Sequence, residues 1–186
     1  MINACSFVQS SYIGGLASPN DNGVCFSLSI AWLAEKKDAG YISALKSTNA
    51  IEAIYKNPND KRTIAQAKAN DCGANPVTTP PSAVMDVVKK QYGNIGTVYG
   101  IPLATKTFAV DANDLSGASE NNVFIWMVNS GTGGRGHVVA WRRSLNLFFD
   151  ANFGVYANAP AADVAKHLND NYTSQYNVYY VISFAA

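Results

Sequence analysis

Cysteine is scarce, with three in 186 residues: Cys5, Cys25 and Cys72. A chain this long can bury an adequate core without staples. The odd count therefore argues against a disulfide framework and for a reduced compartment. Charge is also sparse. Only 15% of residues are Asp, Glu, Lys or Arg, and 14 basic side chains face 13 acidic ones for a net of +1. Basic residues gather no further than the doublets Lys36-Lys37, Lys89-Lys90 and Arg142-Arg143. That excludes a nucleic-acid-binding face and a polybasic membrane anchor. No apolar run approaches the roughly 18–20 residues of a transmembrane helix, so no membrane span is expected. The opening MINACSFVQS has neither a basic n-region nor a long apolar h-region, so no cleaved secretory signal is expected. With two histidines, no C-x-x-C and no H-E-x-x-H, a closed zinc site lacks ligands. Neither a metal nor a cofactor is expected, and internal repeats are absent.

What is present is a 48% hydrophobic composition, enough for one domain over residues 1–186. After the turn-rich ASPNDNG (17–23), Val24, Leu28, Ala31 and Trp32 recur at helical spacing. They predict a helix from about Cys25 to Gly40, with Lys36 and Lys37 in its last turn. Two short helices are expected over 41–70, parted by Asn57-Pro58, and another over Pro80–Tyr92. Beyond Gly93 the runs VFIWMVN (123–129), HVVAWRR (137–143), LNLFFD (145–150) and YNVYYVISF (176–184) read as strands. A glycine-rich hairpin loop, SGTGGRG (130–136), joins the first two, and a short helix is expected over Ala161–Asn169. The fold class expected is α+β, with a helical first half and an antiparallel β-rich second half.

Three residues stand out for chemistry. Cys25 sits at the first turn of its predicted helix, where unpaired N–H groups and the dipole favour a thiolate. Its competing reading is a small buried hydrophobe. His137 opens the strand HVVAW and can project towards a neighbouring helix end. Asp150 closes LNLFFD. Antiparallel pairing of these strands would make His137 and Asp150 neighbours, so that the carboxylate holds the imidazole and the imidazole draws the thiol proton. Singly, they read as a hairpin-end histidine and a turn-capping aspartate. Their joint placement with Cys25 is hard to obtain by accident.

Taken together, GVCFSLSIAWL, GHVVAW and FFDANFGVY resemble the motif blocks of the YopT/AvrPphB-type papain-like cysteine proteases, injected bacterial effectors. Leu28 and Trp32 match the continuation of the cysteine block, and Gly136-His137 the histidine block. Asp150, Asn152, Phe153 and Gly154 match the third. The resemblance implies a papain-like fold, Cys25 as nucleophile, His137 as general base and acid, and Asp150 as orienter. It also implies an oxyanion-hole amide just before the cysteine, a place that Asn20 fits, with Asn22 as its competitor and otherwise a helix N-cap. The implied substrate is a protein in a target cell, reached through a bacterial secretion system without a signal peptide, with action in the target-cell cytosol. A toxin of this kind also implies a cognate immunity protein or inhibitor. The segment MINACSFVQSSYIGG does not read as a processing or lipidation signal. Two other functions use the same residues: an amidase, deamidase or transglutaminase-like acyl transferase, and a non-enzymatic interaction domain on the same scaffold.

Other features read as structural. Gly131–Gly136 matches G-x-G-x-x-G but leads into a strand, leaving no helix N-terminus for a pyrophosphate. His167, among Asp163, Lys166 and Asp170, reads as a solvated helix residue. Cys5 and Cys72 read as structural or surface thiols. Trp126, Trp141, Phe148 and Phe149 read as sheet core, with Trp32 or Trp141 a candidate cleft wall. The tyrosines between 172 and 180 suit an edge or interface strand, or a substrate groove.

Overall fold

Strands rich in β-branched and aromatic residues pair here in strictly antiparallel fashion. The computed structural model describes residues 1–13, 25, 28–29, 32–33, 103–109, 115, 122–128, 136–176 and 178–184. Among them, the strands are β1 (Ile2–Ser6), β2 (Leu103–Ala109), β3 (Asn122–Val128), β4 (His137–Arg142), β5 (Leu147–Asp150), β6 (Gly154–Ala157) and β7 (Val178–Phe184). They form one sheet in the order β1-β6-β5-β4-β3-β7-β2. The helices are α1 (Ser10–Ile13) and α2 (Ala161–Tyr172), and among the described residues Cys25, Leu28, Ser29, Trp32 and Leu33 are also helical. The result is a mixed α/β arrangement. The helices expected over 41–70 and Pro80–Tyr92 lie outside the described residues, as does most of the Cys25–Gly40 helix.

β4 is the centre of the sheet, and its side chains are buried along its whole length because both sheet faces are covered. Side chains alternate across a strand, so cross-strand partners share a face. One face carries Val123, Ile125 and Met127 of β3, Val139 and Trp141 of β4, and Phe148 of β5; Val164, Leu168 and Tyr172 of α2 pack on it. Trp141 reaches through this layer to donate its indole N–H to the Ala159 carbonyl at 2.9 Å. On the other face Trp32 lies 5.7 Å from the Phe149 ring, with the Arg142 guanidinium 4.5 Å from the Trp32 ring centroid. Arg142 also donates to the Trp32 and Leu33 carbonyls, and Ser29 to the Val138 carbonyl. These contacts tie the cysteine-bearing helical residues to the central strand.

Several boundaries differ from the sequence reading. Leu145 belongs to a 3-10 turn over Arg143–Leu145, and Asn146 at φ 50° ends that turn, so β5 starts only at Leu147. The expected helix over Ala161–Asn169 continues to Tyr172. The turn over residues 151–153 after β5 leads straight into β6, whose pairing with β1 the sequence did not announce. Gly154 is required at that corner. Its φ is +113°, and a Cβ there would lie 2.0 Å from the Cys5 carbonyl oxygen. The tyrosine-rich strand is not an edge: β7 lies between β3 and β2, with Tyr179 and Tyr180 buried. Trp32 and Trp141 are fully buried as well, which removes both as exposed cleft walls.

Candidate active site

The register of the central hairpin decides which chemical groups meet. Asp150 on β5 stands opposite Val139 on β4, so His137 lies two residues further along β4 on the same face. The diagonal distance is one that a histidine and an aspartate can bridge. His137 Nε2 is 2.9 Å from Asp150 Oδ1, and both side chains are buried. His137 heads the central strand, with Met127 of β3 on its other side. The Cys25 thiol is buried and hydrogen-bonds to the same imidazole. With Nε2 taken by Asp150, Nδ1 is the nitrogen left for sulfur. The structure thus brings Cys25, His137 and Asp150 together; Asn20 and Asn22 lie outside the described residues.

Asp150 is the most heavily bonded side chain of the site. Its Oδ1 accepts from His137 and, at 2.9 Å, from the backbone N–H of Asn152, the contact that shapes the turn after β5. Its Oδ2 accepts from His167 Nε2 at 3.0 Å and from the Tyr172 hydroxyl at 2.7 Å. Asn152 extends the network, donating from Nδ2 to the Tyr172 hydroxyl and accepting from Gln9 Nε2. No acceptor direction of the carboxylate is wasted.

His167 therefore corrects the sequence reading. It is buried, and it points at Asp150 rather than at solvent. The polar residues Asp163, Lys166 and Asp170 occupy the neighbouring stripe of the helix, which made the whole turn look solvated. The signal that finds His167 is the other stripe: Val164, His167, Leu168 and Tyr172 recur at three- and four-residue spacing and are all buried.

Burial and hydrogen bonding oppose each other in setting the charges. Burial alone would disfavour the His137 imidazolium, but the Asp150 hydrogen bond and charge, reinforced by Cys25, raise its pKa to about 10. Burial likewise disfavours the Asp150 carboxylate, and the hydrogen bond and charge of His137 overcome that, with His167 and the Asn152 N–H adding to it. The carboxyl is held well below its usual range. Burial, Asp150 and Cys25 push the Tyr172 hydroxyl well above the ordinary phenol, so it remains a donor.

These shifts give stability a sign. His137 binds its proton more tightly folded than unfolded, so its stabilisation is complete below about pH 6.5 and lost as pH rises towards 10. Asp150 contributes above about pH 4 and loses its contribution as pH falls further. Stability measured by urea unfolding is expected to fall between pH 6.5 and 9.5, by at most about 1.4 kcal/mol per pH unit for one proton. His137→Gln should flatten that fall; an unchanged slope would remove the imidazolium from the folded state.

The fold that holds these side chains has a solved counterpart. The avirulence protein AvrPphB of Pseudomonas is similar to this chain with a TM-score of 0.61, covering 100% of this chain and 98% of that one at 11% identity. The fold is AvrPphB-like. No protein-family model and no curated relative matches the sequence. At 11% identity the likeness to AvrPphB is one of fold, and the chemistry has to be argued from the side chains.

Those side chains can do thiol chemistry. A buried imidazolium held by a carboxylate, with sulfur on its other nitrogen, is the arrangement that prepares a thiolate for attack and a proton for a leaving group. Among the described residues no group of three or more His, Cys, Asp or Glu could hold a metal ion. No helix among them is long and apolar enough to cross a membrane.

Proposed function

We propose that this chain is a papain-like cysteine protease of the bacterial effector type, hydrolysing a peptide bond in a protein of a target cell. The supporting observation is the single imidazole of His137, bonded on Nε2 by Asp150 and hydrogen-bonded by Cys25. The Cys25 thiolate attacks the scissile carbonyl carbon, and the carbonyl oxygen takes the negative charge. His137 then gives its proton to the amide nitrogen, the C–N bond breaks, and the amine departs, leaving a thioester. Neutral His137 next takes a proton from water as the hydroxide oxygen adds to the thioester carbonyl. Collapse releases the carboxylic acid and restores the thiolate–imidazolium pair. Asp150 stays ionised throughout, fixing the ring and stabilising its charge.

The AvrPphB-like fold fits an effector setting, with action on a protein in the target-cell cytosol. The test is covalent. A peptidyl epoxysuccinate should label Cys25, located by peptide mass spectrometry, and labelling should vanish in His137→Ala at pH 6. Failure to label Cys25 in folded wild type would contradict the thiol mechanism. Release of ammonia from a protein glutamine, or a new isopeptide, in place of a cut chain would turn the acyl step to deamidation or transglutamination; a released muropeptide would indicate an amidase. An unreactive Cys25 would leave an interaction domain.

The oxyanion donor is proposed as Asn20, five residues before Cys25. An oxyanion exists only in the transition state, so Asn20→Ala is expected to lower kcat about a hundred- to a thousand-fold with little change in KM. Asn22→Ala, as a lost N-cap, should cost about 0.5–2 kcal/mol of stability and leave kcat nearly intact. Kinetics and thermal melts of both variants separate the roles, and a silent Asn20→Ala beside an inactive Asn22→Ala would exchange them.

A further inference from the structure

The α2 helix carries two side chains into the site that the triad chemistry does not itself consume. His167 Nε2 and the Tyr172 hydroxyl both end on Asp150 Oδ2, at 3.0 and 2.7 Å. They occupy that oxygen and leave Oδ1 to face His137 and the Asn152 N–H. A carboxylate bonded on one oxygen only can rotate about its Cβ–Cγ bond; bonded on both, it presents a fixed plane. His167 is itself held. The rings of Phe148, Phe153 and Tyr156 surround it edge-on with centroids 5.1, 5.1 and 5.3 Å away. Tyr172 adds a direct contact, its ring tilted 31° against the His137 imidazole at 4.9 Å. Burying an imidazole and a phenol here for packing alone would not require both polar atoms to converge on one oxygen.

We infer that His167 and Tyr172 are positioning residues, which lock the Asp150 carboxylate in the orientation that serves His137 and so make α2 a part of the active site. The inference rests on the Cys25–His137–Asp150 reading given above. His167 touches neither the thiol nor the scissile bond; it acts through Asp150. A carboxylate free to turn, or drawn to water, supports the His137 imidazolium less well and so prepares the Cys25 sulfur less well for attack.

The experiment follows alkylation of Cys25 by iodoacetamide from pH 5 to 10, read at the Cys25 peptide by mass spectrometry so that Cys5 and Cys72 do not intrude. His167→Leu and Tyr172→Phe should each slow alkylation at pH 6 by about three- to tenfold and leave the rate at pH 10 unchanged. His167→Gln can still donate an N–H to Oδ2 and should stay within about twofold of wild type at pH 6. A merely structural role would lower the melting temperature without changing the ratio of rates at pH 6 and pH 10. An unchanged ratio in either folded variant overturns the inference, and if His167→Leu fails to fold, Tyr172→Phe decides alone. His137→Ala is the separate control. If it too keeps the wild-type ratio, the triad reading falls; if only the α2 variants keep it, the triad stands and the positioning role does not.

Discussion

Cys25→Ala is expected to reduce hydrolysis to the uncatalysed background while the protein still folds. The mutation removes only sulfur from a buried site, a loss on the order of 1 kcal/mol of stability. No other nucleophile can replace the thiolate in forming a thioester. His137→Ala is expected to lower kcat/KM by at least about a thousandfold, since in the proposed mechanism the proton transfers of both half-reactions pass through that one ring. The double variant should be scarcely worse than either single one, because groups that act as a unit cannot be lost twice. Initial rates for the three variants, with circular dichroism to certify folding, supply the comparison. Single losses that multiply in the double variant would mean two independent contributions instead of a thiolate–imidazole pair.

The second large effect is at Asp150, where activity and stability fall together. Alanine there would leave four donors aimed at an empty space: His137, His167, Tyr172 and the Asn152 N–H. Breaking a buried charged network by removing one partner typically costs about 3–5 kcal/mol. Asp150→Ala should therefore melt well below wild type and retain almost no turnover. Asparagine keeps the shape and one acceptor. Its oxygen can still receive His137 Nε2, while its amide must face His167 and Tyr172, both of which can turn to accept. Its lost charge no longer stabilises the imidazolium, so Asp150→Asn should fold better than the alanine variant and lose about a hundred- to ten-thousandfold in kcat. Thermal melts and steady-state kinetics of the pair read both expectations. Equal rates for the two variants would reduce Asp150 to a turn former.

Why the central hairpin was legible is plain from its residues. HVVAWR and LFFD are apolar runs bounded by glycine, a tight turn and asparagine, and antiparallel pairing forces their outer ends together. Adjacent strands therefore carried the His137–Asp150 contact into the sequence reading. β1 was not legible for the opposite reason. INACS lies at the sheet edge, largely exposed, and a strand that buries little has no apolar alternation to show. GVYA was hidden by the glycine at its start, which signals a turn and here also admits the close approach of β1. His167 was missed because sequence spacing shows which residues share a helix stripe but not which stripe faces a polar partner. The buried stripe contains one histidine among apolar residues because Asp150 waits beneath it.

The central claim is that Cys25 cuts a peptide bond. It is tested most directly by labelling new α-amino termini in a target-cell extract exposed to wild type or to Cys25→Ala, followed by mass spectrometry. New termini are expected at one or a few protein sites with wild type and none with the variant. Termini produced equally by both proteins, or absent with both while wild-type Cys25 remains reactive, would contradict it.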